Sequence, residues 1–584
     1  MTHKRLGILI LTAVTLLFTA CKKYLTLEPQ SAFNEEAMFS NIVNARSAVL
    51  GVYDQLAGDQ GYGSRFSLIY PYDNDEMIGV TNNSAPDNSS RDMARYNVQP
   101  TNAQLLAPFN QLYAGIERAN ICIRNIPAMS LYKDGSETDK KELQRLYGEV
   151  LTLRAQFYFE LVRNWGDVPA PFIPSFDQPT LYLEKTDRDV IYDSLIADLK
   201  RAEELVPWRK EVSSDERITK GAVKALRARL ALFSAGYSLR KSRRMERRVN
   251  YLDHYQIARD ECYELMQRRD QHTLNPSFQS VFKDALDAYA IDPFGEVMFE
   301  VAMAKEVDSK LGYYDGPRFY VPGNTALLGN GSIRVIPVYF YSFDSVDTRR
   351  DVTCAPYYNN ADNSKALQTL VNMTSGKFRS DWITPALTSA IQATGINWPV
   401  IRFSDVLLMF AEADNELNNG PTADAKLAYE EVRKRGFKGN ESKIGTTPGD
   451  KDGFFKALVN ERSFEFGGEG IRKYDLIRWN LLAEKITSVR SNYTKIMNRE
   501  APYNNLPQYL FFLPGAQQLT LGNSLYKPSP TAITGYTRVN WTRAITEAWI
   551  TNVAQLYKPN RSELLPIPQA VIDANPKITQ DYGY

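Results

Sequence analysis

From Ala103 to Arg268 apolar residues return every three or four positions through five successive stretches, 103–126, 139–165, 188–206, 218–238 and 252–268, with short polar links between them. Such spacing lays an apolar stripe along one face of a helix, and a helix with one stripe must cover it with a neighbour. Because the links are short, the neighbour is the next helix in the chain, so the stretch predicts a stack of consecutive helices. Leu153, Phe157, Tyr158 and Leu161 form the apolar face of the second stretch, and Gly166-Asp167-Val168-Pro169 ends it. Small residues (Gly221, Ala222, Ala225, Ala228) crowd the start of the fourth and permit close helix contact. A further helix is predicted over about 35–57, on Ala37, Met38, Ile42, Ala45, Val49, Tyr53 and Leu56.

The same period returns in 397–480. Val406, Met409, Phe410, Ala413 and Leu417 share one helix face. Pro421 opens a second helix, which carries Ala425, Ala428, Tyr429 and Val432 and stops at Gly436. A third runs from about Asp452, an N-cap residue type, to Phe466, before Gly467, Gly468 and Gly470. After those glycines, Glu469, Arg472, Asp475 and Arg478 alternate in sign at steps of three, the spacing of an ion-pair ladder on one face. Glu465 and Glu469 could serve as an acid/base pair. Alternatively, Arg462, Arg472 and Arg478 hold carboxylates and pin helices together, and helix-face charge runs favour this structural role.

The residues here are also familiar. Ile401-Arg402-Phe403-Ser404-Asp405-Val406-Leu407-Leu408, then Glu461, Arg462 and Glu465, then Glu469-Gly470, Arg472, Asp475-Leu476 and Arg478-Trp479 resemble the SusD/RagB family. Those proteins are nutrient-binding outer-membrane lipoproteins that work with a TonB-dependent transporter. Ile471 departs from the pattern, standing where the family commonly has His. Further likenesses lie in Gly148-Glu149 with Leu153-Arg154-Ala155, in Gly166-Asp167-Val168-Pro169, in Phe343-Asp344 with Asp347 and Arg349, and in Lys377-Phe378. The close of the chain, Leu564-Leu565-Pro566-Ile567-Pro568 and Gln580-Asp581-Tyr582-Gly583-Tyr584, is similar as well. The resemblance implies a mainly α fold: a tetratricopeptide-like helical scaffold with a large loop-rich, mixed insertion region forming the ligand-binding face. Paired helices of this length are consistent with it, although the literal repeat signature is absent. The scaffold is expected at about 35–57, 103–270 and 400–485, and the loop-rich part at about 58–102, 274–398 and 486–560.

Residues 1–20 read as a lipoprotein signal peptide. Lys4 and Arg5 precede an apolar run, Leu6 to Phe18, that is too short to span a bilayer comfortably and ends in Ala20-Cys21. Cys21 is the expected acylated first residue, and several acyl chains together hold a protein on a membrane. Residues 21–584 then form the binding unit. Cys122, Cys262 and Cys354 are an odd three and read as buried free thiols.

Two insertions interrupt the helices with aromatic and hydrogen-bonding residues side by side. The first offers Tyr70, Tyr72, Asp73, Asn74 and Tyr96, and the second offers Tyr313, Tyr314, Asp315, Arg318, Phe319 and Tyr320. Sugar faces stack on such rings while Asn, Asp and Arg read hydroxyls, so the ligand site is expected between these two loops; the alternative, favoured for any single tyrosine, is that it packs its loop onto the scaffold. A short strand is expected over Glu296–Val301.

The net charge of +1 gives no bulk attraction for nucleic acid. The three histidines, His3, His254 and His272, lack the clustering of a zinc site, so no metal is expected. No Gly-rich phosphate loop follows a strand and no Gly-x-Ser-x-Gly elbow occurs. The resemblance therefore implies binding without catalysis and without a cofactor: capture of an oligosaccharide or glycan at the cell surface and delivery to a partner SusC-like transporter in the outer membrane. The alternatives are a peptide-binding member of the same family and, from another class, a surface glycoside hydrolase.

Overall fold

The computed structural model describes residues 35–79, 85–213, 216–321, 323–389 and 391–584. The signal segment and Cys21 lie outside the described residues. The long helices are α1 (Ile42–Tyr53), α2 (Leu106–Asn125), α3 (Glu137–Trp165), α4 (Arg188–Ala202), α5 (Lys220–Ala235) and α6 (Tyr251–Gln267), then α7 (Phe403–Leu417), α8 (Ala423–Gly436), α9 (Lys451–Phe466), α10 (Arg472–Arg478) and α11 (Leu482–Asn498). From α1 to α9 each helix packs on its successor. The stack of consecutive helices inferred from the periodicity, and the mainly α, tetratricopeptide-like scaffold that the resemblance implied, are therefore what the chain forms.

The starts and stops follow local chemistry. Ser136 caps α3 by accepting from the Asp139 amide, while the Asp139 side chain accepts in return from the Ser136 amide. Gly166 ends α3 with φ 77°, a conformation that favours glycine. Close helix approach depends on missing side chains. A Cβ on Gly115 of α2 would lie 2.5 Å from the Phe157 ring of α3, and one on Gly221 of α5 would lie 2.2 Å from His272. Two starts differ from expectation. α8 is capped by Thr422, whose side chain accepts from the Ala425 amide, and α9 by Asp450, which accepts from Gly453.

Continuity of the stack from α6 to α7 is the main topological fact. The chain leaves the scaffold after Gln267, makes a long excursion, and re-enters at Phe403, where α7 packs on α6. The neck of the excursion is closed by an antiparallel pair, Val297–Val301 with Trp398–Arg402, in register Trp398↔Val301 and Arg402↔Val297. Within the excursion short strands make a small sheet. Its order is Met77–Ile78, Arg334–Val335, Thr374–Ser375, Cys354–Ala355, so the first insertion supplies one edge.

α3 sits at the centre. Every residue from Gly148 to Val162 is buried, including the polar side of this helix. The first insertion covers that side: Tyr62 donates to Glu160, and Gln156 donates to the Tyr62 hydroxyl at 2.7 Å. The C-terminal segment docks at the same end. Trp165 Nε1 donates to Pro566 O (3.1 Å), and Arg188 bridges Asp167 (2.7 Å) and the Tyr582 hydroxyl (2.5 Å). Cys122, Cys262 and Cys354 are free and buried.

One region departs from expectation. Residues after 485 were expected to be loop, yet 482–498 is α11, and its Leu482, Ile486, Val489, Tyr493 and Ile496 are buried. The chain becomes irregular only beyond it, with one hairpin, Tyr509–Phe512 against Thr537–Asn540.

Candidate functional site

The charged residues that carry the resemblance converge in the interior. Arg402 donates from Nη1 to Glu296 (2.6 Å) and Glu465 (2.8 Å), and from Nε and Nη2 to the two oxygens of Glu469 (2.7 and 2.8 Å). Arg435 joins Glu296 (2.9 Å) to Glu465 (2.5 Å), and Arg349 joins Asp347 (2.7 Å) to Glu461 (2.6 Å). Lys377 closes the lattice on Glu469 at 2.5 Å, and Arg433 closes it on Glu461 at 2.9 Å. Five cations thus face five carboxylates: Arg349, Lys377, Arg402, Arg433 and Arg435 against Glu296, Asp347, Glu461, Glu465 and Glu469. Beside it a second set pairs Arg229, Arg462 and Arg478 with Asp405, Asp475 and Glu412.

This arrangement assigns the carboxylates. Burial opposes ionisation of Glu465, but Arg435, Arg402 and Arg349 together hold its carboxyl down at about 2. A carboxyl this acidic, with both oxygens occupied by guanidinium groups, is a poor proton donor or acceptor at neutral pH. The lattice is structural. The ladder within α10 is only partly formed. Asp475 and Arg478 pair at 2.8 Å, whereas Arg472 reaches back to Asp75 (2.6 Å) and Glu76 (3.3 Å) in the first insertion, and Glu469 precedes the helix.

The aromatic and polar residues singled out in the first insertion are interior too. Tyr70, Tyr72, Asp73, Asn74 and Tyr96 are all buried, which corrects their assignment to a ligand-facing surface. Each is spoken for. Tyr62, Phe66, Tyr70 and Trp165 form a continuous line of ring contacts, with centroids 5.4–5.9 Å apart, that seats the insertion on α3. The Tyr70 hydroxyl donates to Gln104 O (2.5 Å), that of Tyr72 to Gly468 O (3.2 Å) and that of Tyr96 to Asp73 O (2.6 Å). Asn74 Oδ1 accepts from the amides of Glu76 (2.8 Å) and Met77 (3.2 Å), and Asp73 accepts from that of Gly79 (3.2 Å). Of the second group, Asp315 and Phe319 are also buried, and Asp315 accepts from Ser375. The two insertions do meet, as Lys310 donates to Gly63 O (2.8 Å) and pairs with Asp59 (2.8 Å), but Tyr72 and Asp315 meet each other inside the fold. A hydrated ligand cannot enter such a contact.

Tyr313, Tyr314, Arg318 and Tyr320 remain half-buried at the surface. The Tyr313 and Tyr314 rings meet edge to face, and the Arg318 guanidinium lies between Tyr320 and Tyr358, 5.6 and 4.4 Å from their centroids. Strand 357–359 carries Tyr358 toward this patch. Its neighbour Tyr357, on the opposite side by strand alternation, lines a cleft of about 710 Å³ between the excursion and the 518–525 segment. Ser380, between Arg379 and Asp381 of the cleft wall, donates to Leu328 O (2.9 Å) in the hairpin that contains Phe319 and Tyr320, so patch and cleft share one frame.

The cleft wall sets an aromatic ring beside a carboxylate. Trp382 lies half-buried on its wall, with Arg379 4.1 Å from the ring centroid on one side. Asp381 accepts from the Tyr357 hydroxyl (3.1 Å) and from Lys365 (3.3 Å) through Oδ2, while its buried Oδ1 has no partner among the described residues. That oxygen has no solvent contact in this conformation, so it accepts from a bound donor only if the Asp381 side chain turns toward the cleft. Sequence reading missed these residues. The signal available was Arg379-Ser380-Asp381-Trp382, where one of seven tryptophans stands beside a carboxylate in a region without helical period. Among the described residues no group of three or more His, Cys, Asp or Glu side chains is arranged to hold a metal ion.

Comparison with known proteins divides the chain between two models. Residues 351–584 match the SusD family, and residues 23–232 match a family described as starch-binding and associating with the outer membrane. SusD-like protein P25 of Formosa agariphila is 25% identical over 533 residues, 85% of this chain and 94% of that protein. A SusD homolog from Bacteroides thetaiotaomicron superposes with a TM-score of 0.76 at 22% identity, over 94% of this chain and 98% of that one. Surface glycan-binding protein A of the same organism, in complex with laminarihexaose, superposes with a TM-score of 0.61 at 18% identity, over 92% and 99% of the two chains. The two family matches together take in both the helical stack and the return from the excursion, and the motifs that build the buried lattice are the ones that first pointed this way. The chain belongs to the SusD/RagB family.

Proposed function

We propose that this protein captures a glycan in the cleft bounded by Tyr357, Asp381 and Trp382, with Tyr313, Tyr314, Arg318 and Tyr320, on the other side of the 357–359 strand, as a second contact surface. The observation that carries this reading is the half-buried Trp382 ring beside the Asp381 carboxylate on the wall of a cleft of about 710 Å³. It is supported by relatives that bind laminarin or laminarihexaose on the same fold. The protein acts without catalysis: its clustered carboxylates are locked in guanidinium pairs. The mature chain, 21–584, is anchored through acylated Cys21 at the outer membrane and faces outward. It works with a SusC-like TonB-dependent transporter, over which it closes as a lid and to which it passes the glycan. Association with the outer membrane is also what the description of the family matching 23–232 says.

Losing a stacking ring should cost affinity before stability. Trp382→Ala is expected to weaken glycan binding by about 1–2 kcal/mol in calorimetry, with little change in melting temperature. The same comparison applies to Tyr314→Ala. Tyr72→Ala, by contrast, should lower the melting temperature, because that ring is core. Undiminished affinity in Trp382→Ala would remove the cleft from consideration.

A further inference from the structure

The charge of the cleft narrows the ligand. Four cations line it, Lys283, Arg350, Lys365 and Arg379, against two carboxylates, Asp351 and Asp381. The compensation is weaker than this count implies, because the Asp351 side chain is 71% exposed and stands largely in solvent. Three of the cations have internal partners. Arg379 donates to Gly376 O, the Tyr357 hydroxyl and two further carbonyls, Arg350 to Asp351 and the Tyr526 hydroxyl, and Lys365 to Asp381. Lys283 has none: its ammonium makes no ion pair or hydrogen bond among the described residues, although it is half-buried on the cleft wall. With no internal partner to displace, its ammonium is free to pair with an incoming anion. Concave walls of low polarisability concentrate the field of the surplus positive charge on whatever enters.

We infer that the cleft is built for an acidic saccharide, one whose rings carry carboxylate or sulfate groups, with Lys283 receiving the anionic group. This rests on the reading of the cleft as the glycan site. A neutral glucan would leave Lys283 unpaired, whereas a sugar ring bearing an acid group pairs it.

The test uses matched pairs that differ only in charge: hexagalacturonate against its fully methyl-esterified form, and a sulfated carrageenan tetrasaccharide against its desulfated form. Neutral laminarihexaose and maltohexaose are run alongside, all by calorimetry on the wild-type chain and on Lys283→Gln. The expected result is that one acidic member binds about tenfold more tightly than its uncharged partner, that the difference weakens between about 50 and 500 mM salt, and that it collapses in Lys283→Gln. Which pair shows it distinguishes carboxylate from sulfate. Equal or tighter binding of the neutral sugars would overturn the inference and leave the glycan reading standing. A charge preference unchanged in Lys283→Gln would overturn it equally. Binding by none of these sugars would sink the glycan reading of the cleft together with this inference.

Discussion

Single residues in this chain were legible by type and spacing but not by partner. The alternation of Glu469, Arg472, Asp475 and Arg478 announced ion pairing, and one pair within α10 formed; the other charges found partners up to 397 positions away in sequence. Nothing local to Arg472 could have named Asp75. The structural assignment now has a specific cost. Arg472 is buried and holds two carboxylates, so Arg472→Ala strands both and should destabilise the fold by about 3–5 kcal/mol, read as a lower denaturation midpoint with unaltered glycan affinity. Unchanged stability with lost affinity would reverse the assignment. Glu465 sets a pH dependence. Its folded pKa of about 2 lies below the ordinary 4.5, so its contribution is fully present above about pH 4.5 and is lost as pH falls toward 2. Glu465→Gln should therefore be less stable than wild type at about pH 7, and the gap between the two proteins should narrow between about pH 4.5 and 2. Burial drives Asp73 and Glu76 the other way, up to about 8, but both proteins carry these two groups, so their contribution cancels in the difference. A gap that stays constant on acidification would show that Glu465 does not carry this linkage.

At the scale of elements, periodicity succeeded where punctuation accompanied it. α3 has a capping box at its start and Gly166 at its end, and its expected limits were nearly met. α11 was missed although Leu482, Ile486, Val489, Tyr493 and Ile496 keep helical spacing throughout. Both of its boundaries lack the usual cues. Leu481 at the N-cap makes no side-chain hydrogen bond, and the stop is Arg499, at φ 61°, where glycine is usual. Its outward residues are polar, so its average composition resembles the loops around it. Packing, not capping, holds this helix. Ile486 shares a buried cluster with Tyr96, Tyr474 and Leu482, joining α11 and α10 to the first insertion. Ile486→Ala should cost about 2–5 kcal/mol in equilibrium unfolding, as a buried truncation that cannot collapse. A loss within a few tenths of a kcal/mol would mean that α11 contributes little to the fold.

For the whole molecule, the sequence showed that a loop-rich part interrupts a helical stack, but not how tightly the two are joined. That depends on long-range pairing, which no window of residues contains. The buried lattice makes the joint: Glu296, Asp347, Arg349 and Lys377 come from the excursion, and Arg402, Arg435, Glu461, Glu465 and Glu469 from its return and from the scaffold. The same joint goes with the interior place of the first insertion's rings: Tyr62, Phe66 and Tyr70 face inward and weld it to Trp165 of α3. Separate bodies linked by strands would melt separately; bodies sharing a charge lattice cannot, because opening either one strands buried charges in the other. The prediction is a single calorimetric transition for the chain, despite its length. Arg349→Ala, which removes the cation between Asp347 in the excursion and Glu461 in α9, should move that transition down as one. If Arg349→Ala instead produced an early transition for the excursion, with the helical stack melting at its original temperature, the two parts would be energetically separate.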